Sequence, residues 1–363
     1  KSALQIHENE ANIFGNAKEK NCNKIGNKEI KSYGPKYITL DGAIKLGILQ
    51  IKEVSREGSV NELVAKNKSN TLILLLDGEE LVGAKQNRII NTTILLGKMS
   101  NTRIPVSCVE ASRWDYISDI FMTSENILTY DIRKEKHSSV TSSLKYSRRY
   151  MSDQGQIWEK IDEMSEDFSV NSKTRAMNDI YRSFDKDLDE YICNFPLEFG
   201  QTGIFVFIDG NIAGFDNLSL PEAYSNIHTK LLRSYCIDAL RKEYIRKEKT
   251  RMRPEEKKDG GKDKDVNEDM AKLKEYKKAS IPSIEDAMKF MKEIEKCNES
   301  HFKSIGLGED YRYESPYIIG SSLFYKGTVI HMAFFRDEGQ SIREGRTGRM
   351  KSFRERRRDM GMY

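Results

Sequence analysis

Cysteine is scarce, and its spacing offers no pairs. The five cysteines (Cys22, Cys108, Cys193, Cys236, Cys297) lie far apart in 363 residues and form no CxxC pair. Such spacing supports neither a zinc site nor a disulfide framework. It fits reduced thiols, so the cytoplasm is the expected compartment. The five histidines (His7, His137, His228, His301, His331) show no HxH, HExxH or mixed Cys/His spacing, so no metal site is expected. GxGxxG, Walker, GxSxG and kinase signatures are all missing, and no cofactor is named by the pattern. No run of 18 apolar residues occurs, and the opening KSALQIHENE has no apolar stretch of the kind found in a signal peptide. No membrane partner is expected.

What the chain does have is charge. Charged residues make up 32 % of the sequence and hydrophobic residues 38 %, with a formal net charge of +4. The positive balance is local: residues 341–363 hold eight Lys or Arg against three acidic residues, leaving the rest of the chain at −1. The basicity therefore argues for a basic tail and not for a nucleic-acid-binding fold. Nucleic acid enters as a partner only through phosphate contacts of that tail.

The β-rich part spans 37–116. KYITLDGAIKLG reads as a strand running into a short capped helix, and LQIKEVS alternates as a strand does. NTLILLLDG, RIINTTILL and TRIPVSCVE follow as three strand-like runs with short connections, which favours antiparallel pairing. NTLILLL is apolar without alternation, so both its faces should be covered. Residues 152–192 are expected to be helical. Ile157, Trp158, Ile161 and Met164 fall at helical spacing, and a second stripe runs from Ala176 through Tyr191. Ser152, Asp153 and Ser172 are suitable N-caps. Residues 203–247 read as a hairpin about Asp209-Gly210 followed by a long helix with Pro221 in its first turn. A terminal hairpin is expected over 317–335, preceded by a helix in SIEDAMKFMKEIEKC. Residues 248–270, with the apolar-free KKDGGKDKD, read as a charged mobile insertion, and 336–363 as a basic tail. The expected fold is α+β: one domain over 1–335 with an antiparallel β core built from hairpins of both halves and helices packed on it. LLLDGEELVGAKQN and FVFIDGNIAGFDNL echo each other, either as a duplicated β unit or as convergent Asp-Gly turn chemistry.

The stretch LLLDGEELVGAKQNRIINTTILL (residues 74–96) carries more polar chemistry than a turn needs. Read as a strand, its alternation puts Lys85 and Asn87 on one face and Gln86 and Arg88 on the other. A cation beside an amide suits an anionic, hydrogen-bonding ligand. A salt-bridged exposed hairpin would account for the same residues. VEASRW supplies Glu110, Arg113 and Trp114, an acid, a guanidinium and a flat ring that can stack a base, although tryptophan also serves as core. Asp153 and Gln154 open a helix whose free N–H groups suit a phosphate, or simply a capped helix. Lys230 and Arg233, three apart on a helix, are within reach of one anion. Glu80 or Glu110 would be the general base.

GEELVGAKQNR, RIPVSCVEASRW, MSDQGQIWEKI, VFIDGNIAGFD with KLLRSYCIDAL, and GSSLFYKGTVIHMAFF together resemble a prokaryotic family named for its association with ADP-ribosylglycohydrolases and rhodanese-phosphatase proteins. The resemblance runs from about Tyr37 to Phe335 outside the insertion and implies ADP-ribose or other NAD-derived metabolism. It supplies no catalytic residues. The leading expectation is recognition, with hydrolysis or transfer as a further step, of ADP-ribose or a related nucleotide-sugar phosphate. The alternative is a non-catalytic interaction protein that forms a homo-oligomer or binds partners through its tail and insertion.

Overall fold

The computed structural model describes residues 4–7, 34–55, 58, 59, 61–251 and 282–337. Most of the insertion and nearly all of the basic tail therefore lie outside the described residues. Residues 248–251 continue a helix, so the expected insertion begins four residues too early.

The architecture is α+β. A closed antiparallel barrel contains β3 (Leu49–Glu53), β4 (Glu62–Asn67), β6 (Glu79–Gly83), β7 (Arg88–Ile90), β9 (Asn101–Cys108) and β10 (Phe121–Ile127), in the order β10-β3-β4-β9-β7-β6. Inward residues such as Leu49, Ile51, Leu63, Leu81, Ile104 and Phe121 fill it, following the two-residue alternation of each strand. Beside it lies a small sheet of β2 (Tyr37–Thr39), β5 (Leu72–Leu75) and β8 (Ile94–Leu96), with helix α1 (Leu40–Lys45) leading out of β2. The non-alternating β5 is its centre, flanked by β2 in parallel and β8 antiparallel, and Ile73 to Leu75 are buried as expected.

The second half forms a seven-stranded antiparallel sheet. Its members are β1 (Leu4–His7), β11 (Gly203–Ile208), β12 (Asn211–Leu218), β13 (Asn298–Lys303), β14 (Glu309–Glu314), β15 (Ile318–Tyr325) and β16 (Thr328–Arg336), ordered β1-β11-β12-β16-β15-β14-β13. The β11–β12 hairpin turns on Asp209 (φ 55°) and Gly210 (φ 77°), two positive φ values in a row as a type I′ turn requires. The helices are α2 (Tyr130–Ser147), α3 (Gln154–Asp167), α4 (Met177–Ser183), α5 (Asp185–Ile192), α6 (Pro221–Arg251) and α7 (Ile284–Ile294). They enclose the main apolar core, in which Ile161, Tyr181, Leu231 and Tyr235 from helices meet Val206, Leu218 and Phe335 from strands. Each large side chain so buried contributes about 1.5–3 kcal/mol. No helix among the described residues is long and apolar enough to cross a membrane.

Four sequence expectations are corrected. RIINTTILL is two strands in two different sheets, because Thr92 and Thr93 between them turn inward to Asp310 and His331. The single stripe from Ala176 to Tyr191 breaks at Phe184 into α4 and α5. Ser172 sits ahead of the α4 cap, bonding Ala176 N–H and Asp179. The Asp77-Gly78 turn passes the chain from the small sheet to the barrel, since β5 pairs with β2 and β8, and β6 with β7 and β10. It is therefore no hairpin, and its echo of the β11–β12 unit is one of turn chemistry alone.

Candidate functional site

Residues 84–87 form a turn, not a strand, with Ala84 at φ 41°. Gly83 leads into it at φ 127°, and a Cβ there would stand 2.6 Å from Ser118 Oγ and 2.9 Å from Ile120 O. Glycine lets segment 110–118 lie directly over the turn. Ile117 N–H donates to Ala84 O at 3.1 Å, and Ala84 N–H donates to Ser118 Oγ at 2.9 Å.

Seven of the predicted residues meet here: Lys85, Gln86, Asn87, Arg88, Glu110, Arg113 and Trp114. Arg113 donates to Glu110 at 2.7 Å, to Asn87 Oδ1 at 3.0 Å and to Ala84 O at 2.9 Å. Glu110 also accepts from Asn87 N–H at 3.1 Å, and Gln86 Nε2 donates to Glu110 O at 2.9 Å. Arg88, fully buried, donates to Gln86 Oε1 at 2.6 Å and to Cys108 Sγ. Lys85 Nζ lies 5.1 Å from the Trp114 ring centre and 5.2 Å from that of Tyr116, while Arg88 Cζ is 5.5 Å from Trp114. The turn thus corrects the expected pairing of faces. Gln86 and Arg88 do meet, but Lys85 joins Arg88 at Trp114 and Asn87 faces Arg113. Trp114 is 44 % exposed and Tyr116 48 %, so the tryptophan is a surface ring and not core.

Behind this cluster sits Glu80. Its Oε2 accepts from Ser124 Oγ at 2.7 Å, and its Oε1 is buried without a hydrogen-bond partner. Burial pushes its pKa up to about 7, against the opposing bonds of Ser124 and Asn126, and the charge of Glu110 adds to the rise. Glu110 goes the other way. Desolvation disfavours its charge, but bonds from Arg113, Asn87 N–H and Thr174 outweigh that and hold it ionised.

Lys230 and Arg233, buried on α6, do not share one anion. Lys230 pairs with Asp41 at 2.7 Å and more distantly with Glu79 at 3.5 Å. Arg233 donates to Asn126 Oδ1 at 3.1 Å and pairs with Asp185 at 2.6 Å. Arg233 therefore reaches the neighbourhood of Glu80 through Asn126, whereas Lys230 fastens α6 to α1. The α3 start is committed elsewhere. Asp153 caps Gln156 N–H at 3.1 Å. Gln154 closes the end of β9 by accepting from Cys108 N–H at 2.7 Å and donating to Cys108 O at 2.8 Å.

Two features escaped the sequence reading. Glu53, at the end of β3, lies beside the cluster. The other is a buried ionic network where the two halves meet. In it Arg133 on α2 donates to Asp216 at 2.8 and 3.1 Å and to Asp77 at 3.4 Å. His137 Nε2 lies 2.7 Å from Asp77 Oδ2, and Lys136 donates to Asp77 and to Asn91 O. His331 links Asp216 to Thr93, and Tyr235 OH donates to Asp216 at 2.7 Å. Burial, and the neighbouring cations Lys136, Arg312 and Arg133, drive His137 well below its usual pKa, so it is neutral. Every one of these side chains is at most 1 % exposed, apart from Asn91 and Thr93, which are nearly as enclosed. The network joins α2 to residues of both halves through enclosed side chains. Among the described residues no group of three or more His, Cys, Asp or Glu could hold a metal ion.

A family model described as the ARG and Rhodanese-Phosphatase-superfamily-associated Protein domain matches residues 24–335. The chain belongs to this family. No curated protein and no solved structure matches it. Both the turn cluster and the buried network fall inside the span that defines the family domain.

Proposed function

We propose that the cluster at the β6–β7 turn recognises a nucleotide-sugar phosphate of the ADP-ribose class. The observation that carries this reading is the exposed Trp114 ring with the Lys85 ammonium 5.1 Å and the Arg88 guanidinium 5.5 Å from its centre. The exposed part of the ring offers a base a π-surface, and the Lys85 ammonium over the ring brings positive charge suited to the phosphates that follow, with the buried Arg88 adding its field from behind. The family's name, which joins it to ADP-ribosylglycohydrolase-associated proteins, supports the same ligand class. Recognition is the activity proposed. Glu110, held ionised by Arg113, is a positioning group, not a proton donor. Glu80 has the proton affinity of a general base, but its carboxyl is fully buried against Ser124, so no step of turnover is assigned to it.

Calorimetric titration with ADP-ribose, NAD and AMP at low salt tests the reading. Saturable binding of at least one of them is expected, weakened about tenfold or more in Trp114→Ala, since stacking a base is worth about 1–3 kcal/mol. Because Trp114 is exposed, the variant's melting temperature should stay within about 2 °C of wild type. Failure of all three nucleotides to bind wild type would end the proposal.

A further inference from the structure

Glu53 is a carboxylate with nothing to accept. Its side chain is only 4 % exposed, yet neither Oε1 nor Oε2 has a hydrogen-bond partner. Its nearest cation, Arg88 NH2, stands 4.0 Å from Oε1, well beyond the 2.7–2.9 Å of a charge-assisted hydrogen bond. Arg88 is turned elsewhere, with NH1 on Gln86 and Cys108 and NH2 facing Ser59 O at 3.5 Å. A buried carboxylate left without donors is costly in any protein, and native folds rarely tolerate one without a use.

Its position gives the use. A Cβ on Gly58 would stand 3.4 Å from Glu53 Oε2 and 3.3 Å from Lys85 Cδ, so the carboxylate and the lysine stem pack against the same backbone position. Glu53 thus adjoins both cations that flank the Trp114 ring. An aromatic platform, two cations and an acceptor-only group of two adjacent oxygens are complementary to the three parts of a nucleotide: base, phosphate and sugar diol. A carboxylate is acceptor-only and each ribose hydroxyl is a donor. The same chemistry underlies carboxylate recognition of a ribose 2′-hydroxyl in dinucleotide-binding folds.

We infer that Glu53 reads the vicinal diol of the ribose attached to the base stacked on Trp114, and so makes the site selective for ribonucleotides over 2′-deoxyribonucleotides. This rests on the ligand class proposed above and goes beyond it by assigning the residue that discriminates. Glu53 is a specificity residue in this role, not a catalytic one.

The test is a pair of titrations, with ADP-ribose and with its analogue lacking the adenosine 2′-hydroxyl, on wild type, Glu53→Gln and Glu53→Ala. Wild type should prefer ADP-ribose by about tenfold or more, the usual scale for a hydrogen bond to a charged group. The preference should shrink in Glu53→Gln, which keeps one acceptor oxygen but loses the charge, and vanish in Glu53→Ala. The deoxy analogue keeps its 3′-hydroxyl, so its affinity should fall from wild type to Glu53→Ala by less than that of ADP-ribose does, and cooperative melting near the wild-type temperature checks that the variants are folded. Equal affinity of wild type for both ligands overturns the diol assignment and leaves the proposed function standing. So does a preference that survives in Glu53→Ala. Failure of wild type to bind either ligand overturns both readings together.

Discussion

Cutting Asp216 back to alanine is expected to lower the free energy of unfolding by about 3–5 kcal/mol, the cost of stranding a buried charge. Asp216 is fully enclosed and accepts from both terminal nitrogens of Arg133, from Tyr235 OH and from His331. Removing it leaves the Arg133 guanidinium with a long hydrogen bond to Asp77 at 3.4 Å and the Phe335 ring 5.0 Å away, and leaves the Tyr235 hydroxyl without its acceptor. Desolvation alone would raise the Asp216 pKa. Arg133 and His331 outweigh it and hold the carboxyl well below the usual range. This contribution to stability is therefore present above the unfolded carboxylate pKa near 4 and is lost as pH falls below it. Urea unfolding of Asp216→Ala, of Arg133→Met and of the double variant gives the coupling. The double should lose several kcal/mol less than the sum of the singles, because it no longer buries an unpaired charge. A single-variant cost below about 1 kcal/mol would mean that the network does not join the two halves.

This network also shows where sequence reading stops. Amphipathic helices announce themselves when their inner face is apolar, as with Ile157, Ile161 and Met164 in α3. Helix α2 buries Arg133, Lys136, His137 and Thr141 as well as Ile132, Val140 and Leu144. Its inward stripe is half polar, so apolar periodicity cannot reveal it. Strand β14, EDYRYE, is hidden for the same reason, since Asp310 and Arg312 are its buried residues, whereas β13, NESHFK, is hidden because it buries only Phe302. Turn chemistry is local and was legible: Asp209-Gly210, Pro221 at the first turn of α6 and the Asp153 cap all stand where residue type put them. The polar density of residues 85–88 marked the cluster that the fold gathers around Trp114. It could not mark Glu53, which reads as one polar residue of an alternating strand and becomes notable only when the folded chain denies it a donor.

The second large effect concerns Glu80, and its sign is opposite to that of Asp216. Burial lifts the carboxyl from its ordinary 4.5 to about 7. Between those two values the folded protein holds a proton that the unfolded chain has released. Stability on this account is fullest below about pH 4.5, falls as pH rises toward 7 and levels off above it. A shift of this size corresponds to roughly 3 kcal/mol. Glu80→Gln keeps the shape and an acceptor for Ser124 Oγ but cannot ionise. It should therefore be more stable than wild type by about 2–4 kcal/mol at pH 8.5 and nearly equal to it at pH 4.5. Urea midpoints across that range measure the difference directly, and a gain that does not change with pH would show that Glu80 does not titrate there. Glu79, lifted to about 7 as well, is a weaker probe, since its amide would also give up the contact with Lys230. If the proton on Glu80 belongs to the ligand site, ADP-ribose binding to wild type should change across pH 6 to 8, and that change should disappear in Glu80→Gln while the Trp114 platform is untouched. A binding profile that is flat in both proteins would confine Glu80 to a structural role behind Glu110 and Asn126.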